Sequence, residues 1–174
     1  MSPVSERRTV LKAIVLTLVL GSLSLCSARE WRGIIPLKST RADVEKLLGR
    51  PVNPDWARYE LADEDVIFEY SKYGCAQPPT VSGWPIPPIE GWNVQPDIVL
   101  FIRVILHKQV PLASILKDKT AFKKVRGDSD VTSHFLYLDE EAGFAIDLNG
   151  DSEEEFVRGY NYMPTAKDKY LRCP

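Results

Sequence analysis

The residues that could do chemistry in this 174-residue chain are few. Its two histidines, His107 and His134, each fit at the end of a strand, where a lone imidazole serves structure or surface. No Gly-x-Ser-x-Gly elbow accompanies them, so a serine nucleophile and its base have no recognisable seat. Neither His-x-x-x-His nor His-Glu-x-x-His occurs, and zinc hydrolysis lacks the ligand spacing it requires. The string from Asp147 to Arg158 comes nearest to a metal loop: Asp147, Asn149 and Asp151 set oxygen ligands at its first, third and fifth positions, as at the start of an EF-hand. The rest departs from that pattern. Ser152 replaces the glycine, Glu154 stands where an apolar residue belongs, and Arg158 takes the place of the closing glutamate. A solvated acidic turn is therefore expected, with no metal and no cofactor; Asp147, Asn149 and Asp151 are the ligands to inspect if calcium binds.

Two further patterns concern binding. Residues 103 to 126 hold seven basic side chains, among them Lys117, Lys119, Lys123, Lys124 and Arg126, against Asp118 alone. Residues 139 to 155 then hold eight acids and no base. The two blocks either neutralise one another within the fold or present a two-faced surface to a charged partner. Residues 77 to 96 carry six of the 13 prolines together with Trp84 and Trp92. Proline cannot donate to a sheet, so this is read as an ordered surface loop. Its tryptophans either form a binding surface or fold back over one face of the sheet.

Such residues need a scaffold, and the chain begins with something else. Arg7, Arg8 and Lys12 precede an uncharged apolar run from Ala13 to Leu25, and Cys26-Ser27-Ala28 closes it with small residues. That is the layout of a cleavable export signal occupying residues 1 to 28. This 13-residue run falls short of the roughly 20 that a membrane-spanning helix needs. An uncleaved anchor is the alternative. Arg7-Arg8-Thr9-Val10-Leu11-Lys12 resembles a twin-arginine signal, with Glu6 where Ser or Thr is usual, so both ordinary and twin-arginine export stay open. Leu25 precedes Cys26 where a lipid-attachment site wants a small residue, so lipoprotein anchoring is the minor reading. Localisation is accordingly periplasmic or secreted.

Removal of the signal leaves 19 basic and 23 acidic residues, a net charge of −4. With no basic excess, nucleic acid is excluded as a default partner. The 44% hydrophobic content supports one domain, residues 29 to 174, with a real core. Of the three cysteines only Cys75 and Cys173 then remain. In an oxidising compartment they are expected to form one structural bridge, since no close-spaced Cys-x-x-Cys suggests redox or metal work.

The elements follow from patterning. Trp31 to Leu37 reads as an extended lead-in. Ser39 or Thr40 can cap a helix that carries Asp43 near its positive end and Val44, Leu47 and Leu48 on one face, with Gly49 and Pro51 ending it. Tyr59–Leu61 and Val66–Tyr70 suggest a hairpin about an acidic turn. Ile98–His107 is apolar on both faces, which marks a strand inside the sheet. Phe135–Leu138 and Phe144–Leu148 make a second hairpin turning at Gly143, and Phe156–Tyr162 a last strand. A short helix is placed around Ala113–Leu116, and a terminal helical turn over Ala166–Leu171. The expected fold is α+β: an antiparallel sheet of five or six strands with one N-terminal helix packed on it.

Residues 36 to 51, Pro-Leu-Lys-Ser-Thr-Arg-Ala-Asp-Val-Glu-Lys-Leu-Leu-Gly-Arg-Pro, resemble the opening of the BamE (SmpA/OmlA) family and its β-lactamase-inhibitor-like relatives. The resemblance implies a short capped helix leading into antiparallel strands, and a protein–protein role in the bacterial envelope. Those proteins usually carry a proper lipid-attachment cysteine and two helices before the sheet, so their binding to the outer-membrane assembly machinery is not carried over. The layout as a whole is similar to uncharacterised bacterial exported proteins. The expected function is thus a non-enzymatic interaction module whose partner is another envelope protein, with only peripheral or signal-mediated membrane contact. A small secreted hydrolase using acidic residues, or a calcium- or ligand-binding module, are the alternatives.

Overall fold

The computed structural model describes residues 29–72, 74–76, 91–127, 134–149 and 155–173. Residues 1–28 with Cys26, expected to be an export signal, most of the proline-rich loop with Trp84, and Asp151 lie outside these residues.

The lead-in folds back on itself where Trp31 and Ile34 exchange backbone hydrogen bonds of 3.0 and 2.9 Å, and both side chains enter the core. Helix α1 (Arg41–Leu48) starts at Thr40 in a capping box. The Thr40 hydroxyl accepts from the Asp43 amide, and the Asp43 carboxylate accepts from the Thr40 amide at 2.8 Å. Gly49 ends the helix at φ 79°, its amide donating to Glu45 O at 2.8 Å. Val44 is sealed and Leu48 packs against the same core, but Leu47 is 47% exposed. With 100° per residue, positions four apart superpose whereas the third falls to the flank, and a two-turn helix buries only that narrow stripe.

Seven strands form one antiparallel sheet: β1 (Arg58–Glu60), β2 (Glu64–Tyr70), β3 (Val99–Pro111), β4 (Lys123–Gly127), β5 (His134–Asp139), β6 (Phe144–Leu148) and β7 (Phe156–Tyr162). Their order is β1-β2-β3-β7-β6-β5-β4. Two meanders, β1 to β3 and β4 to β7, are thus sewn together along β3 and β7. The expected antiparallel α+β architecture is present, with seven strands rather than five or six. The additional strand, β4, has Val125 as its one apolar side chain of size, so no alternation announces it; hydrogen bonding along β5 recruits it to the edge. The short helix α2 is observed at Leu112–Ile115, and a 3₁₀ segment at Ala166–Leu171.

Cross-strand partners share a face. One ladder, Val66–Val104–Tyr160–Ile146–Tyr137, lies on the face covered by α1, the lead-in and α2. Cores built on Phe68, Ile102, Val104 and on Leu112, Ile146, Leu148 fill that side. The opposite face holds a smaller core of Phe101, Leu136, Leu138, Ala145 and Met163. It also carries two polar rows described below.

Cys75 and Cys173 are bonded, with Cα atoms 5.3 Å apart. The same C-terminal segment hydrogen-bonds beyond the loop, where Asn93 N donates to Leu171 O at 2.7 Å and Cys173 N donates to Gly91 O at 2.6 Å. Residues on both sides of the proline-rich stretch are therefore fastened to residues 171–173.

Candidate functional site

The basic block is divided by the sheet's geometry. On β4, Lys124 lies opposite Tyr137 and Arg126 opposite Phe135, whereas Lys123 lies opposite Leu138 on the other face. Lys119 and Lys124 converge on Glu155, with Nζ–O distances of 2.6 and 2.9 Å, and the Tyr137 hydroxyl donates to the same carboxylate at 2.9 Å. Burial works against the charge on Glu155, but the two ammonium groups and the phenol outweigh it and hold its carboxyl at about 2. Part of the basic block is thus neutralised by the acidic one, and Lys119 and Lys124 are not available as open docking charges. Lys117, Lys123 and Arg126 are exposed and have no ion pair among the described residues.

Trp92, for which the sequence left open a binding surface or a fold-back over the sheet, is 5% exposed. The fastening of Gly91 and Asn93 to the C-terminal segment draws it inward, and the Arg172 guanidinium lies 5.2 Å from its ring centre. Trp92 is a packing residue; Trp84 lies outside the described residues.

His107 sits within the extended β3, not at its end. Its Nδ1 is 3.3 Å from Ala62 O and its Nε2 3.1 Å from Asp65 Oδ1. Both partners are acceptors, which favours the doubly protonated ring. The bond to Asp65 raises the His107 pKa against an opposing effect of burial. The residues nearby line an open groove of about 430 Å³, with Leu106, Val110, Ile115 and Tyr160 as apolar walls.

Asp147 is on β6, 6% exposed, its Oδ2 accepting from Arg158 Nε at 3.0 Å. The guanidinium offsets the charge of that carboxylate, and the pairing, invisible in a linear string, is produced by the antiparallel pairing of β6 and β7. Asn149 is exposed beyond the strand end. No group of three metal-ligating side chains occurs among the described residues.

Asp147 belongs to a polar block that sequence reading missed. The second face of the sheet carries one row Ile67–Arg103–Asn161–Ala145–Leu138 and, beside it, Asp65–Ile105–Gly159–Asp147–Leu136. Arg103 stands directly across from Asn161, and burial lowers its pKa despite the opposing fields of Glu69 and Asp147. Asn161 is 1% exposed, and neither atom of its amide has a hydrogen-bond partner; the same holds for Asp147 Oδ1. Each sealed polar group left without a partner costs about 1–3 kcal/mol. Asn161 was legible only as one residue of a tyrosine-rich strand, because its neighbours Arg103 and Asp147 come from distant parts of the chain.

No protein-family model matches the sequence, and no curated protein matches it. Among solved structures the chain is similar to the crystal structure of a DUF4309 family protein (YjgB) from Bacillus subtilis, at 14% identity and a TM-score of 0.47, with 76% of this chain and 83% of that chain covered.

Proposed function

We propose that the chain is an exported, non-enzymatic interaction module of the bacterial envelope that docks an acidic partner protein at the β4 edge of its sheet. The observation that carries this reading is the division of the basic block. Glu155 engages Lys119 and Lys124, while Lys117, Lys123 and Arg126 remain exposed around an edge strand. Exposed cations at a sheet edge repel indiscriminate strand pairing and attract acidic segments, so they select among partners while accelerating encounter. Export is supported by the signal-like residues 1–28 and by the Cys75–Cys173 bond, which persists in oxidising compartments. No helix among the described residues is long and apolar enough to cross a membrane. The BamE-like opening supports the envelope setting.

The test is capture from envelope extract on the immobilised chain at low and high salt, repeated with K117E/K123E/R126E. The reading expects an acidic protein retained at low salt, released at high salt and lost with the charge reversals. Retention of nothing, or retention indifferent to both salt and charge reversal, overturns it.

A further inference from the structure

The covered face of the sheet is filled by two cores with an opening between them. Leu106 and Tyr160 pack against both, the one under the lead-in and α1 and the one under α2. At the same place β3 leaves β7: Ile105 is paired with Gly159 and Val110 with Val157, so residues 106–109 stand against Arg158 alone. Such a bulge bends its strand away from the partner and re-aims the side chains on it. The open groove of about 430 Å³ lies here, within the range of about 300–1,000 Å³ typical of small-molecule sites. Access to it is direct, since Ile115 on its wall is 39% exposed and Leu106, Val110 and Tyr160 are only half-buried. Apolar side chains left wet around one concavity favour an apolar body that takes them out of water.

The charge at the rim defines the rest of the ligand. Leu106 and Val110 both pack on the covered face, and strand alternation puts Lys108 between them on that face, where it lines the groove. Lys108 is exposed and has no ion pair among the described residues. Ser114 donates its hydroxyl proton to Pro111 O at 2.7 Å. Asp63 borders the groove too, but its field acts on His107, whose ring is bonded to Asp65. An ammonium on a flexible stem beside an apolar concavity matches an amphipathic anion. We propose that the groove binds a free medium-chain carboxylate, its tail against Leu106, Val110, Ile115 and Tyr160 and its head group on the Lys108 ammonium. A cationic amphiphile of the same length is repelled by Lys108, and a short carboxylate has little to lay against the walls. The groove is distinct from the β4 edge, and this binding is independent of the docking reading.

The experiment follows the Leu106, Val110 and Ile115 methyl resonances of the full chain, ¹³C-labelled, during separate titrations with hexanoate, octanoate and octylamine as dissolved monomers. Octanoate is expected to give saturable shifts, with affinity at least about threefold above hexanoate, since each buried methylene adds to binding, and at least about threefold above octylamine. K108M keeps the aliphatic stem at an exposed position and removes the charge; it is expected to weaken octanoate at least about threefold and to abolish the preference over octylamine. I115E, at a partly exposed wall position, is expected to remove the octanoate response. K123E/R126E leaves it unchanged, which separates this site from the docking surface. The proposal is overturned if octanoate gives no saturable shift, if octylamine binds as tightly, or if the octanoate affinity survives K108M. Shifts produced by raising the protein concentration alone assign the groove to a second copy of the chain, and co-sedimentation with phosphatidylglycerol vesicles without an octanoate response assigns it to a membrane surface; either result also overturns the proposal.

Discussion

Replacing Glu155 with glutamine removes the one anion shared by Lys119, Lys124 and the Tyr137 hydroxyl while leaving the backbone untouched. A carboxyl held at about 2 against an ordinary 4.5 corresponds to about 3 kcal/mol in favour of the folded state at neutral pH. Both lysines are nearly half exposed, so solvent screening reduces this to about 1–2 kcal/mol. Because the folded value lies below the unfolded one, the contribution is present in full above the unfolded value and disappears as pH falls from about 4.5 towards about 2. Urea melts of native chain and E155Q at neutral pH and at steps down to the acid limit measure the gap directly. The gap is expected to be widest at neutral pH and to close in acid. A gap that is absent at neutral pH, or that is the same at every pH, refutes the assignment of a charge-dependent clamp.

Other expectations follow from the same geometry. Replacing Cys75 and Cys173 together by serine releases a closure spanning 98 residues, which the chain-entropy relation values at about 4.7 kcal/mol; a measured loss of about 2–5 kcal/mol by urea melts is expected, with faster amide exchange at Asn93 and Cys173. His107 titrates above its ordinary 6.5 in an NMR titration. Its stabilising pairing with Asp65 is complete below that ordinary value and is lost as pH rises through the elevated one, so H107A should flatten this part of the pH–stability curve. Gly159→Ala forces β3 and β7 apart and is expected to cost at least about 3 kcal/mol in thermal or chemical melts, whereas a loss below about 1 kcal/mol would show that the seam gives way easily. Leu112→Ala, at a sealed position in the core under α2, is expected to cost about 2–4 kcal/mol.

The elements most legible in the sequence were those whose signal is local. Thr40, Asp43 and Gly49 announce α1 because capping is a matter of residues three or four apart. Ile98 to His107 announces an interior strand because it is apolar on both faces, and Ala166–Leu171 was placed to the residue. The cysteine pairing followed from there being two cysteines after residue 28. What could not be read was whatever depends on register. Leu47 fell on the wrong side of a two-turn helix, and β4 has almost no pattern of its own, because an edge strand of lysines is specified by its neighbour's hydrogen bonds. The polar block was invisible for the same reason: Arg103, Asp147 and Asn161 are adjacent only once β3, β7 and β6 have aligned. The pairings of Asp147 with Arg158 and of Glu155 with Lys119 and Lys124 were hidden for the same reason.

The position of β7 bears on how the sheet assembles. The last of the described strands in the sequence is the middle of the seven, with β3 on one side and β6 on the other. Until β7 emerges, β1–β3 and β4–β6 are two separate ribbons, each exposing the edge that β7 will occupy, and Cys75 has no partner. The sheet therefore stays open at its centre until β7 is available. It closes when residues 156–173 bring the central strand and the second cysteine together.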